Sequence, residues 1–165
     1  MPELYAALAA DEARNALIFD DVLTALEAGR SPLVLTERRD HLEVLRTRFE
    51  KFAKNVVVLR GGVGSHERRE ADEALRVTEA EERLVLSTGR FLREGFDDSR
   101  LDTLFLVSPI SWKGTLAQYV GRLHREHQGK AEVRVYDYVD GNVPVLARMA
   151  AKRRAGYKAL GYTIE

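Results

Sequence analysis

The chain contains no cysteine, which excludes a disulfide framework and any thiolate metal site. Its four histidines do not fall at a ligand spacing such as HExxH, so no metal site is expected. Charge of one sign is missing too: 26 Lys and Arg stand against 26 Asp and Glu, a formal net charge of zero. Long-range attraction to nucleic acid or anionic lipid is thereby excluded, and any such binding has to come from a local patch. No stretch approaches the roughly 20 consecutive apolar residues of a membrane span. The opening MPELYAALAADEARNALIFDD lacks the basic segment and apolar core of a secretory signal. The expectations are a cytoplasmic protein and no membrane partner. A glycine-rich phosphate cradle is absent as well: the turn Gly61-Gly62-Val63-Gly64 does not match GxGxxG, and no Lys-Ser or Lys-Thr follows it, so it reads as a tight turn.

What is present is an alternation of strand and helix. Ala16, Phe19, Leu23 and Leu26, with Ile18 and Val22 beside them, mark a helix from Asp11 to Ala28 that Gly29 ends. The apolar run SPLVLT at 31–36 reads as a strand, and Leu42, Leu45, Phe49 and Phe52 mark one face of the next helix. A second strand is NVVVL at 55–59, with a charged helix from Ser65; RLVLST at 83–88 is a third, DTLFLVS at 102–108 a fourth. A helix over 114–126 precedes VRVYDYV at 133–139, which alternates like an edge strand, and a basic helix closes the chain. Strands that are apolar throughout and separated by helices call for a doubly wound α/β domain, its mostly parallel sheet covered on both faces. A length of 165 residues suits one such domain, expected over 11–165 behind a disordered lead-in at 1–10. Ligands of such sheets bind at the carboxyl ends of the strands, which here means after Thr36, Leu59, Thr88 and Ser108.

Two segments bear on chemistry. In the helix near residue 120, Leu116, Tyr119, Val120 and Leu123 form the apolar stripe, while Gln118, Arg122 and Arg125 share a face turned away from it. That second stripe is either a solvated polar face or a set of aimed guanidinium groups. Ser87, Thr88 and Gly89 follow an apolar strand directly, and there hydroxyls and amides either cap a helix or meet a phosphate backbone.

Taken together, the segments resemble the C-terminal lobe motifs of superfamily-two helicases, in their usual order, over about residues 11–140. SPLVLTERRDHLEVL is similar to motif IV, LRGGVGSHERRE to the strand, turn and helix after it, STGRFLREGFD to motif V, and QYVGRLHR to motif VI in the form QxxGRxxR. The resemblance implies a RecA-like three-layer domain serving as the second lobe of a helicase or translocase. It implies that Arg122 and Arg125 reach the γ-phosphate of ATP held by a separate first RecA-like lobe, with Gln118 positioning the site. Gly95 and Asp97 would lie beside the nucleotide, Thr88 would touch the nucleic-acid backbone, and Thr36 and the turn at Gly62 would add weaker backbone contacts. The chain has no DEAD or DExH run, so ATP and Mg2+ are expected only together with the missing first lobe, on the same parent chain or on a partner protein. Glu94-Gly95-Phe96-Asp97 departs from the Arg-Gly-x-Asp of RNA-type DEAD-box members and is nearer the restriction, repair and defence translocases, which favours DNA. Phe91 and Leu92 stand where small residues are common, and Leu123-His124 replaces a small residue and glycine.

Trp112 and Lys113 precede the motif VI helix and could stack on a base and meet a phosphate, although such a Trp is more often simply packed. The last helix concentrates Arg148, Lys152, Arg153, Arg154 and Lys158. A solvated face explains them, and a non-specific, salt-sensitive DNA contact is the alternative. Two other functions compete with the motor lobe. A non-catalytic nucleic-acid- or protein-binding module would have no need of Gln118, Arg122 and Arg125 together, and a Rossmann-like or flavodoxin-like enzyme lacks its phosphate-loop signature.

Overall fold

The apolar runs become five short strands: β1 (Pro32–Thr36), β2 (Val56–Leu59), β3 (Leu84–Thr88), β4 (Thr103–Leu106) and β5 (Arg134–Asp137). They form one parallel sheet in the order β2-β3-β1-β4-β5. The three inner strands are buried along most or all of their length, which is why they read as continuous apolar segments. The expected edge strand, β5, does lie at an edge and is only partly covered. In this computed structural model the described residues are 2–60, 64–76, 81–93, 98–112, 114–124, 130 and 132–165.

Alternation along each strand splits the core into two. On one face Val34, Leu84, Leu86, Phe105 and Val107 meet α2 (Glu12–Glu27) and α3 (Arg39–Phe49) through Ile18, Val22, Leu26, Leu42, Leu45 and Phe49. On the other, Leu33, Leu35, Leu59, Val85, Leu104 and Leu106 meet α5 (Gly89–Arg93), α6 (Gly114–Arg122) and α7 (Pro144–Ala159), with α4 (Ser65–Leu75) attached through half-buried Ala71 and Leu75. Each fully buried leucine or phenylalanine contributes about 2 to 3 kcal/mol of transfer free energy. The result is the three-layer doubly wound architecture expected, helices on both faces of a parallel sheet.

Several local expectations shift. Residues 2–10, read as a lead-in, form α1 (Pro2–Ala10), and its Ala9 carbonyl accepts a bond of 2.9 Å from Asn15 Nδ2 of α2. Asp11 caps α2 by accepting from the Arg14 amide at 3.0 Å, and Gly29 (φ 76°) ends it in the left-handed conformation that favours glycine. The buried stripe of α2 is Asn15, Ile18, Val22, Ala25 and Leu26, with Phe19 and Leu23 only partly covered. Phe52, expected on the buried face of α3, falls beyond the end of that helix and is 64% exposed, touching Phe19 edge to face at 5.2 Å.

Candidate functional site at the carboxyl edge of the sheet

Thr36 and Thr88 end adjacent strands in register, so the loop after Thr36 and the start of α5 after Thr88 emerge side by side. Both threonines are buried, Thr36 completely and Thr88 to 4% exposure. A run of hydrogen bonds explains Thr36. His41 Nε2 lies 2.9 Å from Asn15 Oδ1, His41 Nδ1 3.1 Å from Thr36 Oγ1, and Thr36 Oγ1 2.7 Å from Ser108 Oγ. The Glu37 amide donates to Ser108 Oγ at 3.1 Å and the Arg38 amide to Thr36 Oγ1 at 3.3 Å.

The donor inventory orients this chain. Asn15 gives its amide hydrogen to the Ala9 carbonyl, so its oxygen accepts from His41 Nε2–H. His41 Nδ1 is then the acceptor for the Thr36 hydroxyl, and Thr36 accepts in turn from Ser108. Burial, reinforced by the nearby Arg14 cation, lowers the His41 pKa to about 4, which keeps the ring neutral, as this arrangement requires. Five residues thus hold the backbone of Glu37 and Arg38 at the mouth of the edge. The sequence pointed to Thr36 as a hydroxyl meeting nucleic acid. The structure turns that hydroxyl inward, where it ties the loop amide of Arg38 and links His41 to Ser108. The link of Thr36 to His41, Asn15 and Ser108 was missed because these residues come from α3, α2 and the segment just after β4, and no local motif joins them.

The Ser87 hydroxyl is likewise internal, donating to the Thr88 carbonyl at 3.0 Å. A Cβ on Gly89 would lie 1.8 Å from Glu37 Oε1, so the absent side chain lets the Glu37 carboxylate sit against the start of α5. The outward-facing groups here come from the loop after β1 and the first turns of α3 and α5: Glu37 and Arg90 are exposed, and Arg38 and Asp40 are paired at 2.7 Å. That pairing, through the Arg38 hydrogen bond above all, lowers the Asp40 pKa.

On α6, Leu116, Tyr119 and Val120, with Leu123 just past its end, are all buried against the sheet, as their spacing requires. Gln118 is exposed on the opposite side, and position 122 follows one helical turn later, within the same helix. The Arg122 side chain, together with Arg125, Gly95, Asp97, Gly62 and Lys113, lies outside the described residues. Trp112 is packed: its ring meets Tyr157 edge to face at 5.2 Å, and Gly156 of α7 approaches it so closely that a Cβ would lie 2.0 Å from its Cε2. Arg153, counted with the basic helix, is also internal. It makes a two-pronged pair with Asp137 at 2.7 and 2.9 Å, donates to the Ile110 carbonyl at 2.9 Å, and shares Asp137 with the Tyr157 hydroxyl. Burial opposes the Arg153 charge, and the carboxylate more than offsets it. Among the described residues there is no cluster of side chains able to hold a metal ion and no helix long and apolar enough to cross a membrane.

No protein-family model matches the chain. Transcript termination protein A18 of vaccinia virus is 30% identical over 121 residues, a match covering 72% of this chain. The chain spans about a quarter of the length of the viral relatives it matches, 24% in that case. In structure it is similar to T4 UvsW, with a TM-score of 0.73 and 16% identity over 96% of this chain and 35% of that one. The C-terminal domain of the DEAD-box protein Dbp5 superposes with a TM-score of 0.59 and 20% identity, covering 86% of this chain and 77% of that one. With its parallel sheet, its helices on both faces and these similarities, the chain has the RecA-like fold of the C-terminal lobes of superfamily-two helicases.

Proposed function

We propose that the chain is the second motor lobe of a nucleic-acid-dependent ATPase acting on DNA, completing a nucleotide site whose phosphate cradle and Mg2+ belong to a separate first lobe. The observation that carries this reading is α6: three buried apolar side chains, and Leu123 just past its end, fasten it to the sheet, and its opposite side presents exposed Gln118. Residue 122 follows at i+4, so a helix fastened in this way fixes where an arginine there starts from. In phosphoryl transfer the protein mainly positions groups and stabilises spread negative charge, and a guanidinium meets two phosphate oxygens at once. Arg122 and Arg125 would supply that charge when the lobes close, with Gln118 beside them and Gly95 and Asp97 near the nucleotide. The loop after Thr36 and the start of α5 after Thr88 would follow the nucleic-acid backbone, Thr36 as a positioning residue for the Arg38 amide. The name of the vaccinia relative, a transcript termination protein, is consistent with work on nucleic acid.

The experiment is ATPase kinetics of the assembled two-lobed motor at saturating DNA. Arg122→Ala should lower kcat by about 10³ to 10⁵ with little change in the KM for ATP, because its interaction forms chiefly in the transition state. Arg122→Lys should restore little, since an ammonium is a point charge without the planar fork. A folded Arg122→Ala motor with kcat within a few fold of wild type would mean that the polar stripe is only a solvated face.

A further inference from the structure

We propose that the exposed face of α7 is a second phosphate-backbone contact, separate from the strand-end loops, that holds a DNA duplex without reading its sequence. Between Asp140 and Glu165 the chain has no acidic residue. With Arg153 buried against Asp137, the helix displays Arg148, Lys152, Arg154 and Lys158, all exposed. None of the four has a hydrogen bond or ion pair among the described residues, whereas Arg14, Arg30, Arg46, Arg83 and Arg134 are each paired with a carboxylate. In a chain of zero net charge this is a local concentration of cations that have no carboxylate partner among the described residues.

Helical spacing sorts the four into two rows, Arg148 with Lys152 and Arg154 with Lys158, and exposed Ala151 and Ala155 lie between the rows. From Arg148 to Lys158 the helix rises about 15 Å. A duplex presents one negative charge per about 1.7 Å of axis, so all four cations can find phosphates along that length. The chemistry between the rows selects the partner. A protein would need a large buried anchor there, and a membrane would need an apolar stripe of bulky side chains. Alanine offers neither and lets a phosphate backbone approach closely. The opposite face is rigidly seated through Leu146, Ala150, Arg153, Gly156 and Tyr157.

The choice of DNA as the polyanion rests on the motor-lobe reading, and the Arg122→Ala kinetics test that reading without touching α7. The test here is binding of the 165-residue chain to a short labelled DNA duplex between about 50 and 200 mM salt. Replacing Arg148, Lys152, Arg154 and Lys158 by Gln should reduce the slope of log affinity against log salt by about 3 to 4, since each phosphate the protein no longer neutralises removes about 0.9. A control with the same charge removed from exposed positions elsewhere, Lys51, Lys54, Arg69 and Arg76 to Gln, should keep the slope within about 1 of wild type. Trp112 fluorescence reports whether α7 stays docked. Should the fourfold variant undock, Lys152→Gln/Lys158→Gln is read in the same way, with half the reduction. An unchanged slope, or an equal reduction in the control, overturns the proposal. So does binding to phosphatidylserine vesicles with none to the duplex, which would make the face a lipid contact.

Discussion

At the scale of single residues, His41 carries the clearest prediction. Its pKa is about 4 in the folded chain against 6.5 for the free side chain. The unfolded chain therefore binds a proton over that window which the native ring refuses, and stability falls as the pH is lowered from 6.5 towards 4. The contribution is fully present above pH 6.5, and its loss over the window amounts to about 3 kcal/mol. Urea denaturation at pH 7.5 and 4.5 should show this drop in the wild type and a markedly smaller one in His41→Gln. Equal drops in the two proteins would mean that the acid sensitivity comes from other groups. Thr36→Val belongs to the same network: it leaves the Arg38 amide and Ser108 without their oxygen and should destabilise by about 1 to 3 kcal/mol, read from the same urea midpoints. Neither residue declares this role in the sequence. A threonine at the end of an apolar strand looks the same whether its hydroxyl faces a ligand or a histidine, and only the meeting of α2, α3 and β4 decides between them.

At the scale of elements, the buried face of α6 was legible and that of α7 was not. Leu116, Tyr119, Val120 and Leu123 are separated by the period of one helix face, and burial follows that face. In α7 the apolar signal is weak. Besides Leu146, Ala150 and Tyr157, a charge, Arg153 on Asp137, and the absence of a side chain, Gly156 against the Trp112 ring, seat the helix. A five-arginine-and-lysine helix therefore reads as uniformly basic, although one of the five is its anchor. Gly156→Ala tests the close approach. Alanine would gain about 1 kcal/mol in helix propensity, but its methyl group would collide with a ring held by Tyr157. Such overpacking costs about 1 to 3 kcal/mol, so the expected net effect is destabilisation with a red-shifted Trp112 emission. Since Trp112 is the single tryptophan, the spectrum reports this contact alone. A more stable variant with unchanged emission would show that the ring simply moves aside.

At the scale of the whole molecule, the sequence alone determined the order along the chain of the five strands and of α2, α3, α4, α6 and α7, the parallel character of the sheet and the apolar face of α6. These depend on periodicities of about two and 3.6 residues and on which strands are apolar throughout, which are local properties. Strand β5 was readable as an edge strand from its alternation, although both of its faces are partly covered, Val133 and Val135 against one core and Tyr136 and Tyr138 against the other. The tertiary structure alone decided which polar groups face inward. Thr36, Ser87, His41 and Arg153 look like surface or site residues in the sequence, yet each is buried and hydrogen-bonded to a group distant along the chain or set by the strand end. It also made a helix of residues 2–10, which carry little amphipathic signal of their own and are held by contacts to α2 and α3. The physical reason is that apolar burial is non-directional and leaves a periodic trace in one dimension. A buried hydrogen bond is directional, and it joins residues whose separation along the chain carries no information about their distance in space.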